Sequence, residues 1–405
     1  MAIRDIELFT DFVAPLDQKY RKLAKQHELL SRVYTIKSIF MEDYSRFIKN
    51  NISGLRRNVF DALTRSYRSY WEFEWAADWA DLSPRTLMEF DDHGTEGESF
   101  LTNKIGYKAI LDHLRASIPE HMFHFNNSVV NIEHSADGVI LKTSNGERTK
   151  MYDYVIVTSS LGHLKKYHRQ LFTPPLPRQK VEAIEKIGFG GSCKIFFRWQ
   201  NRWWSNSTYS IVPVLVEGMA RDFIDPFERE LTTLQIVDWE ENTLMAWIAG
   251  AGQRVMDNMS DEEIKTRFTP GTYDYISSTQ LTKNELLLGS YSYMSQAQAG
   301  AGISHSRLSI PIKHNKRTKV LFAGEATHHR LFQTAIGAYL SGRREADRLN
   351  SDWKLDEKPT FNATSFRRND KNLSQNMGNF LTGTPLGVLC TSDVYKIVVG
   401  VKNHP

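Results

Sequence analysis

The chain has 405 residues, 41% hydrophobic and 12% aromatic, enough to bury one large core or two ordinary ones, so it reads as globular. Its 51 Lys plus Arg balance 47 Asp plus Glu, and the surplus is scattered rather than gathered into basic blocks, so no nucleic-acid partner is expected. Two cysteines, Cys193 and Cys390, argue against a disulfide scaffold or structural zinc, and no metal site is expected.

Arg4, Asp5, Glu7, Asp11, Asp17 and Lys19 disagree with the basic-then-apolar layout of a secretory signal, and no window approaches the ~20 apolar residues of a membrane span. A soluble, cytoplasmic protein is therefore expected. The last residues, Asn403-His404-Pro405, are not a Ser-Lys-Leu type of peroxisomal address.

Residues 1 to about 90 predict helices, because apolar positions recur every three or four residues through Leu23 to Ile39 and Phe60 to Trp79. A polar segment from Gly94 to Gly106 leads into a short amphipathic helix marked by Tyr107, Ile110, Leu111 and Leu114. Strands follow at Val129 to Ile132, Gly138 to Thr143 and Tyr154 to Thr158, the last apolar throughout as in a doubly covered strand. A helix carrying Val181, Ile184 and Ile187 should stop at Gly188. Beyond it, Cys193 to Trp199 alternates, with Ile195, Phe197 and Trp199 on one face and Lys194, Phe196 and Arg198 on the other.

Residues 207 to 250 suggest further strands, and Ser260-Asp261-Glu262-Glu263 is a capping box whose helix ends before Pro270. A strand from Val320 to Ala323 turns at Gly324 into a loop and a final helix from about Thr334 to Leu349. Residues 350 to 405 read as an appended tail, whose apolar run Val388 to Val401 has no functional reading.

The stretch Val320-Leu321-Phe322-Ala323-Gly324-Glu325-Ala326-Thr327, with Gly337 to Ala346 after it, combines a strand, a Gly turn, an acid and a helix opening on small residues. Backbone amides and the helix dipole there suit anionic oxygen, although small residues serve helix packing equally well. The stretch resembles the carboxy-terminal FAD-binding signature of flavin-containing amine oxidases, the polyamine and spermine oxidases above all. Tyr154 to Lys166, Pro174 to Phe197 and Gly289-Ser290-Tyr291-Ser292-Tyr293 agree with that family in the same order.

That resemblance implies an α/β fold, with an incomplete FAD-binding doubly wound domain interleaved with an α+β substrate domain of amine oxidase type. Its parts would be 1–125 as helical substrate domain, 126–175 and 318–349 as FAD domain, 176–317 as substrate domain, and 350–405 as tail. It implies FAD-dependent oxidation of a small-molecule amine, most of all a polyamine, by hydride transfer to the flavin with molecular oxygen as acceptor, giving hydrogen peroxide. Lys194 matches the family lysine that holds a water near the flavin, Tyr291 an aromatic wall of the substrate site, and Thr334 the opposite wall. Gly324, Glu325, Gln333, Thr334, Ala335, Ile336, Gly337 and Ala338 match cofactor-contacting positions, and Val129 a residue whose backbone meets the adenine end. Read without the resemblance, Lys194 is a solvent-facing strand lysine and Tyr291 plain core. Asp91, Asp92, Glu96 and Glu98 are candidate attractors for a polycation, or else a solvated acidic loop.

The sequence departs from the family pattern in several places. No Gly-x-Gly-x-x-Gly follows an amino-terminal strand, so the chain reads as beginning downstream of the first nucleotide-binding unit. Leu281 stands where a Trp is usual, and Gln333, Ala335 and Ile336 replace smaller, hydroxyl or His residues. These departures keep open an alternative, a catalytically inactive truncated relative acting as a binding or regulatory module. A lysine-specific histone demethylase relative is disfavoured because its long helical insertion is not present. The oligomeric state is not legible.

Overall fold

The computed structural model describes residues 3–26, 32–54, 56–91, 106–206, 208, 210–216, 226–267, 275–279, 281–355 and 399–401. Asp92, Glu96 and Glu98 lie outside them. The chain alternates between two compact units, one made of residues 1–89 and 186–303, the other of 90–185 and 304–405.

The first unit opens with the helices Ile3–Val13, Leu16–Gln26, Ile36–Asn51 and Arg56–Trp75. Their apolar faces meet in an aromatic core in which Phe12 stacks on Phe47 at 4.3 Å and Phe40 stacks on Tyr44 at 5.7 Å. Thr35 caps the third helix reciprocally with Ser38. The same unit holds an antiparallel five-stranded sheet in the order Tyr275–Ser278, Ser192–Arg198, Thr243–Ala249, Leu234–Ile236, Ser210–Ile211. Alternation along Ser192–Arg198 is as expected, with Cys193, Ile195 and Phe197 buried and Arg198 exposed. The expected capping box is also present, since Ser260 N donates to Glu263 Oε2 at 2.7 Å and Glu263 N donates to Ser260 Oγ at 3.3 Å. That helix, Asp261–Arg267, ends before Pro270.

Gly188 does not simply stop a helix. Arg178–Lys186 ends two residues earlier, and Gly188–Gly190 is a strand paired antiparallel with Tyr291–Tyr293. Glycine is required there because a Cβ at Gly190 would overlap the Ala76 carbonyl, and one at Gly188 would overlap the Tyr293 ring.

The second unit contains a three-stranded sheet, Val139–Thr143, Val129–His134, Phe172–Thr173, and a four-stranded one, Ile312–His314, Arg317–Phe322, Tyr154–Val157, Val399–Val401. Arg317–Phe322 and Tyr154–Val157 run parallel, and the long helix Ala335–Leu355 follows the first of them after the Gly324 loop. It runs past Leu349, so 350–355 are helix rather than tail. The tail's last apolar residues, Val399–Val401, form an edge strand against Tyr154–Val157.

The unit boundary falls at 89/90, where the sequence reading sets it at 125/126. The helix Lys108–Arg115 buries no residue, so it contributes nothing to the helical core of the first unit. Asp91 N donates to Arg330 O at 2.9 Å, and Phe90 packs edge-on to Phe332 at 5.4 Å, which ties this segment to the second unit. Residues 178–185 fall there too, because the buried Lys180 ammonium donates to the carbonyls of Leu308 and Ile310, both at 2.6 Å.

Candidate active site

In the first unit, Lys194 sits in the middle of Ser192–Arg198, directly across from Trp247 in the ladder. Its backbone is pinned on the other side, with its N–H donating to Thr279 Oγ1 at 2.9 Å and its carbonyl accepting from Thr279 N at 3.0 Å. The side chain is half-buried, and its ammonium lies 4.7 Å from the centre of the Trp247 ring. Trp247 meets Phe73 edge to face at 4.7 Å, and the Tyr291 hydroxyl donates to the Phe73 carbonyl at 2.7 Å. Lys194 and Tyr291 thus share one aromatic cluster at the carboxy end of Arg56–Trp75.

Two carboxylates of that helix end carry the site's electrostatics, and the sequence reading passed over both. Glu72, 1% exposed, accepts from Trp79 N at 3.3 Å and Ala251 N at 3.2 Å, with Arg68 Nε 3.7 Å away. Burial outweighs these partners and pushes its carboxyl up to about 7. Glu74 is pushed up to about 7 by burial alone. The available signal was Trp71-Glu72-Phe73-Glu74-Trp75, acids interleaved with aromatics on a helix otherwise patterned for a core.

In the second unit the expected cofactor residues cluster at the end of the Arg317–Phe322 strand. Gly324 takes φ +126°, and its Cβ side opens onto free space. The Gln333 N–H donates to Glu325 Oε2 at 2.6 Å, which holds Gln333 at φ +71°. Thr334 caps the last helix, its Oγ1 accepting from Gly337 N at 3.0 Å and donating to Leu331 O at 2.8 Å. Ala335 and Ile336 are the half-buried first residues of that helix, and Ala338 N closes on Thr334 O at 3.1 Å. Gly337 is needed because a Cβ there would overlap the Leu331 carbonyl. Val129 stands apart from this cluster, at the start of a strand in the other sheet of the unit. Asp91 pairs with Arg330 at 3.2 Å. His305, stacked flat on Phe332 at 3.9 Å and pushed down to about 3 by burial, is neutral; nothing in the sequence reading singled it out.

These residues fit a flavin. Gln333 is 2% exposed, and neither its Nε2 nor its Oε1 has a protein partner, an unspent donor and acceptor on a residue whose N–H Glu325 holds. A parallel strand that turns at a glycine into a helix N-terminus is a natural place for such a group.

Residues 7–350 match the family model of the flavin containing amine oxidoreductases, and the chain belongs to that family. FAD is accordingly its family's cofactor. Among its relatives, the peroxisomal N(1)-acetyl-spermine/spermidine oxidase of Bos taurus is 32% identical over 280 residues, covering 61% of this chain and 54% of that protein. The probable polyamine oxidase 5 of Arabidopsis thaliana is 29% identical over 364 residues, covering 78% of this chain and 65% of that one. The chain thus spans between about half and two thirds of the length of these relatives. Cyclohexylamine oxidase from Brevibacterium oxydans IH-35A superposes with a TM-score of 0.57 at 16% identity, over 86% of this chain and 75% of that one, a likeness of fold. Among the described residues no helix is long and apolar enough to cross a membrane, and no group of three or more His, Cys, Asp or Glu side chains is placed to hold a metal.

Proposed function

We propose that this chain oxidises polyamines such as spermine, spermidine or their acetylated forms, with FAD as cofactor and molecular oxygen as the final acceptor. The observation that carries this reading is the first unit's cluster, in which Lys194 and Tyr291 meet the Phe73–Trp247 pair, on the helix end that also carries the desolvated carboxyls of Glu72 and Glu74.

A polyamine needs opposite treatment at its two ends. The nitrogen beside the carbon to be oxidised must be neutral, and the Lys194 ammonium already seated on Trp247 disfavours a second positive charge there. The distal nitrogens stay charged, and a carboxylate whose burial is uncompensated gains most from one of them. Glu74 would supply that carboxylate, its ionised form being stabilised once an ammonium arrives. Glu72 is already committed to two backbone N–H groups and Arg68, and positions the helix end instead.

Lys194 would hold a water and move a proton at Nζ, and Tyr291, its hydroxyl tied to Phe73, would present its ring as a rigid wall. Gly324, Glu325, Gln333 and Thr334 through Ala338 would hold the flavin, with Thr334 offering its methyl because its hydroxyl is spent on the cap. Val129 would meet the adenine end. Bound there, FAD would supply the two-electron acceptor for the amine.

The test is a peroxide assay on the FAD-incubated 405-residue protein with spermine, N-acetylspermine and cyclohexylamine. Peroxide from either polyamine in excess of that from the monoamine is the expected result. Equal rates would remove the polyamine assignment, and no peroxide from any amine would remove the oxidase.

A further inference from the structure

We infer that Trp247 is a positioning residue for Lys194, fixing where its ammonium sits and favouring its charged form. The two residues face each other across the Ser192–Arg198 and Thr243–Ala249 ladder, so the lysine stem has a short path over the indole and the ammonium ends 4.7 Å from the ring centre. The indole itself cannot turn. It is 2% exposed, its Nε1 donates to Gln235 Oε1 at 3.0 Å, and Phe73 packs against it edge to face at 4.7 Å. A desolvated indole face attracts a cation through its quadrupole, the more strongly the less water intervenes.

Among the described residues, the elements packed around the lysine carry the following charged and titratable groups. Thr243–Ala249 carries none, and Ser192–Arg198 adds only the buried Cys193 and Arg198, whose guanidinium pairs with Glu240 at 3.1 Å. On the other side runs the strand Tyr275–Ser278, with Tyr275 at the backbone register of Arg198. The short helix Gln253–Met256 brings Arg254, paired with Asp78 at 3.0 Å. The end of Arg56–Trp75 brings Arg68, Glu72 and Glu74, and the facing strand brings Tyr291, bonded to Phe73 O. Among these, Trp247 is the group in direct register with the ammonium.

What this means for catalysis rests on the proposed role of Lys194; the positioning itself does not, and its test needs neither flavin nor substrate. In protein labelled with 13Cε-lysine, the Lys194 resonance is identified by its loss in Lys194→Met and followed against pH. Trp247→Leu is expected to lower the titration midpoint by about one pH unit, and Trp247→Phe, which keeps a ring, by less. Should the Leu variant lose cooperative unfolding, Trp247→Phe decides alone, with a midpoint below the parent by a few tenths. Midpoints equal to or above the parent's overturn the proposal. A protein that shows the shift but makes no peroxide overturns the oxidase reading and leaves the positioning standing.

Discussion

Burial shifts carboxyl groups in one unit and basic groups in the other. In the first, burial pushes acids up, Glu72 and Glu74 both to about 7. In the second it pushes bases down, Lys180 to about 7 against the pull of Glu345, His305 to about 3, and His134 below the usual imidazole range. The bases are spent on structure: Lys180 holds two carbonyls and lies 4.0 Å over Phe322, and His134 bridges Pro174 O at 3.0 Å and His314 at 2.8 Å. Glu74 differs from Glu72 and Lys180 because burial is the sole cause of its shift. A desolvated acid of that kind suits the proposed receipt of a cation, whereas Lys180 and His134 are fastened within their own unit.

The sharpest way to probe this contrast is to remove the lysine of the proposed site in the first unit. Lys194→Met should slow flavin reduction or reoxidation by roughly 10²–10⁴-fold while leaving the melting temperature within a degree or two, read by rapid mixing and calorimetry. Gly190→Ala should act on stability instead, costing about 3 kcal/mol or more because the new methyl meets a backbone carbonyl, Ala76 O, that cannot yield. Gly324→Ala meets open space and strains only the backbone, so about 1–3 kcal/mol is expected in denaturant melts, together with weaker FAD retention. Glu74→Gln should raise the KM for spermine by about 10- to 100-fold and leave that for a monoamine nearly unchanged.

The smallest effect is on pH dependence, and its sign differs between units. The folded state raises the pKa of Glu72 and Glu74, so their contribution to stability is full below the unfolded carboxyl value near ~4.5 and is lost as pH rises through about 7. The folded state lowers that of His305, so its contribution is present above the unfolded imidazole value near ~6.5 and is lost as pH falls toward about 3. Glu74→Gln should flatten the loss on the alkaline side between pH ~5 and ~8, and His305→Phe the loss on the acid side.

What the sequence reveals depends on whether a signal is local. The alternation of Ser192–Arg198 and the Ser260 capping box are set by neighbours in the chain, and both are present as read. Gly188 misleads because a glycine that ends a helix and one that leaves room for a neighbouring ring look alike in one dimension; only Tyr293 tells them apart. The 89/90 boundary is hidden for the same reason, since Lys108–Arg115 has the pattern of a core helix but buries nothing. Of the proposed site, Lys194 and the Gly324 turn are singled out by their motif. Glu74 and Trp247 are not, because one gains its character from desolvation and the other from register with a strand 53 residues away.

On the proposed function, this chain's residues hold a flavin and deliver a polyamine to it. An anaerobic titration of the FAD-incubated 405-residue protein with spermine, followed in the visible flavin band, tests it directly. Protein that keeps its colour through gel filtration and bleaches in proportion to added spermine is the predicted result; colourless protein, or bound flavin that no polyamine bleaches, would contradict it.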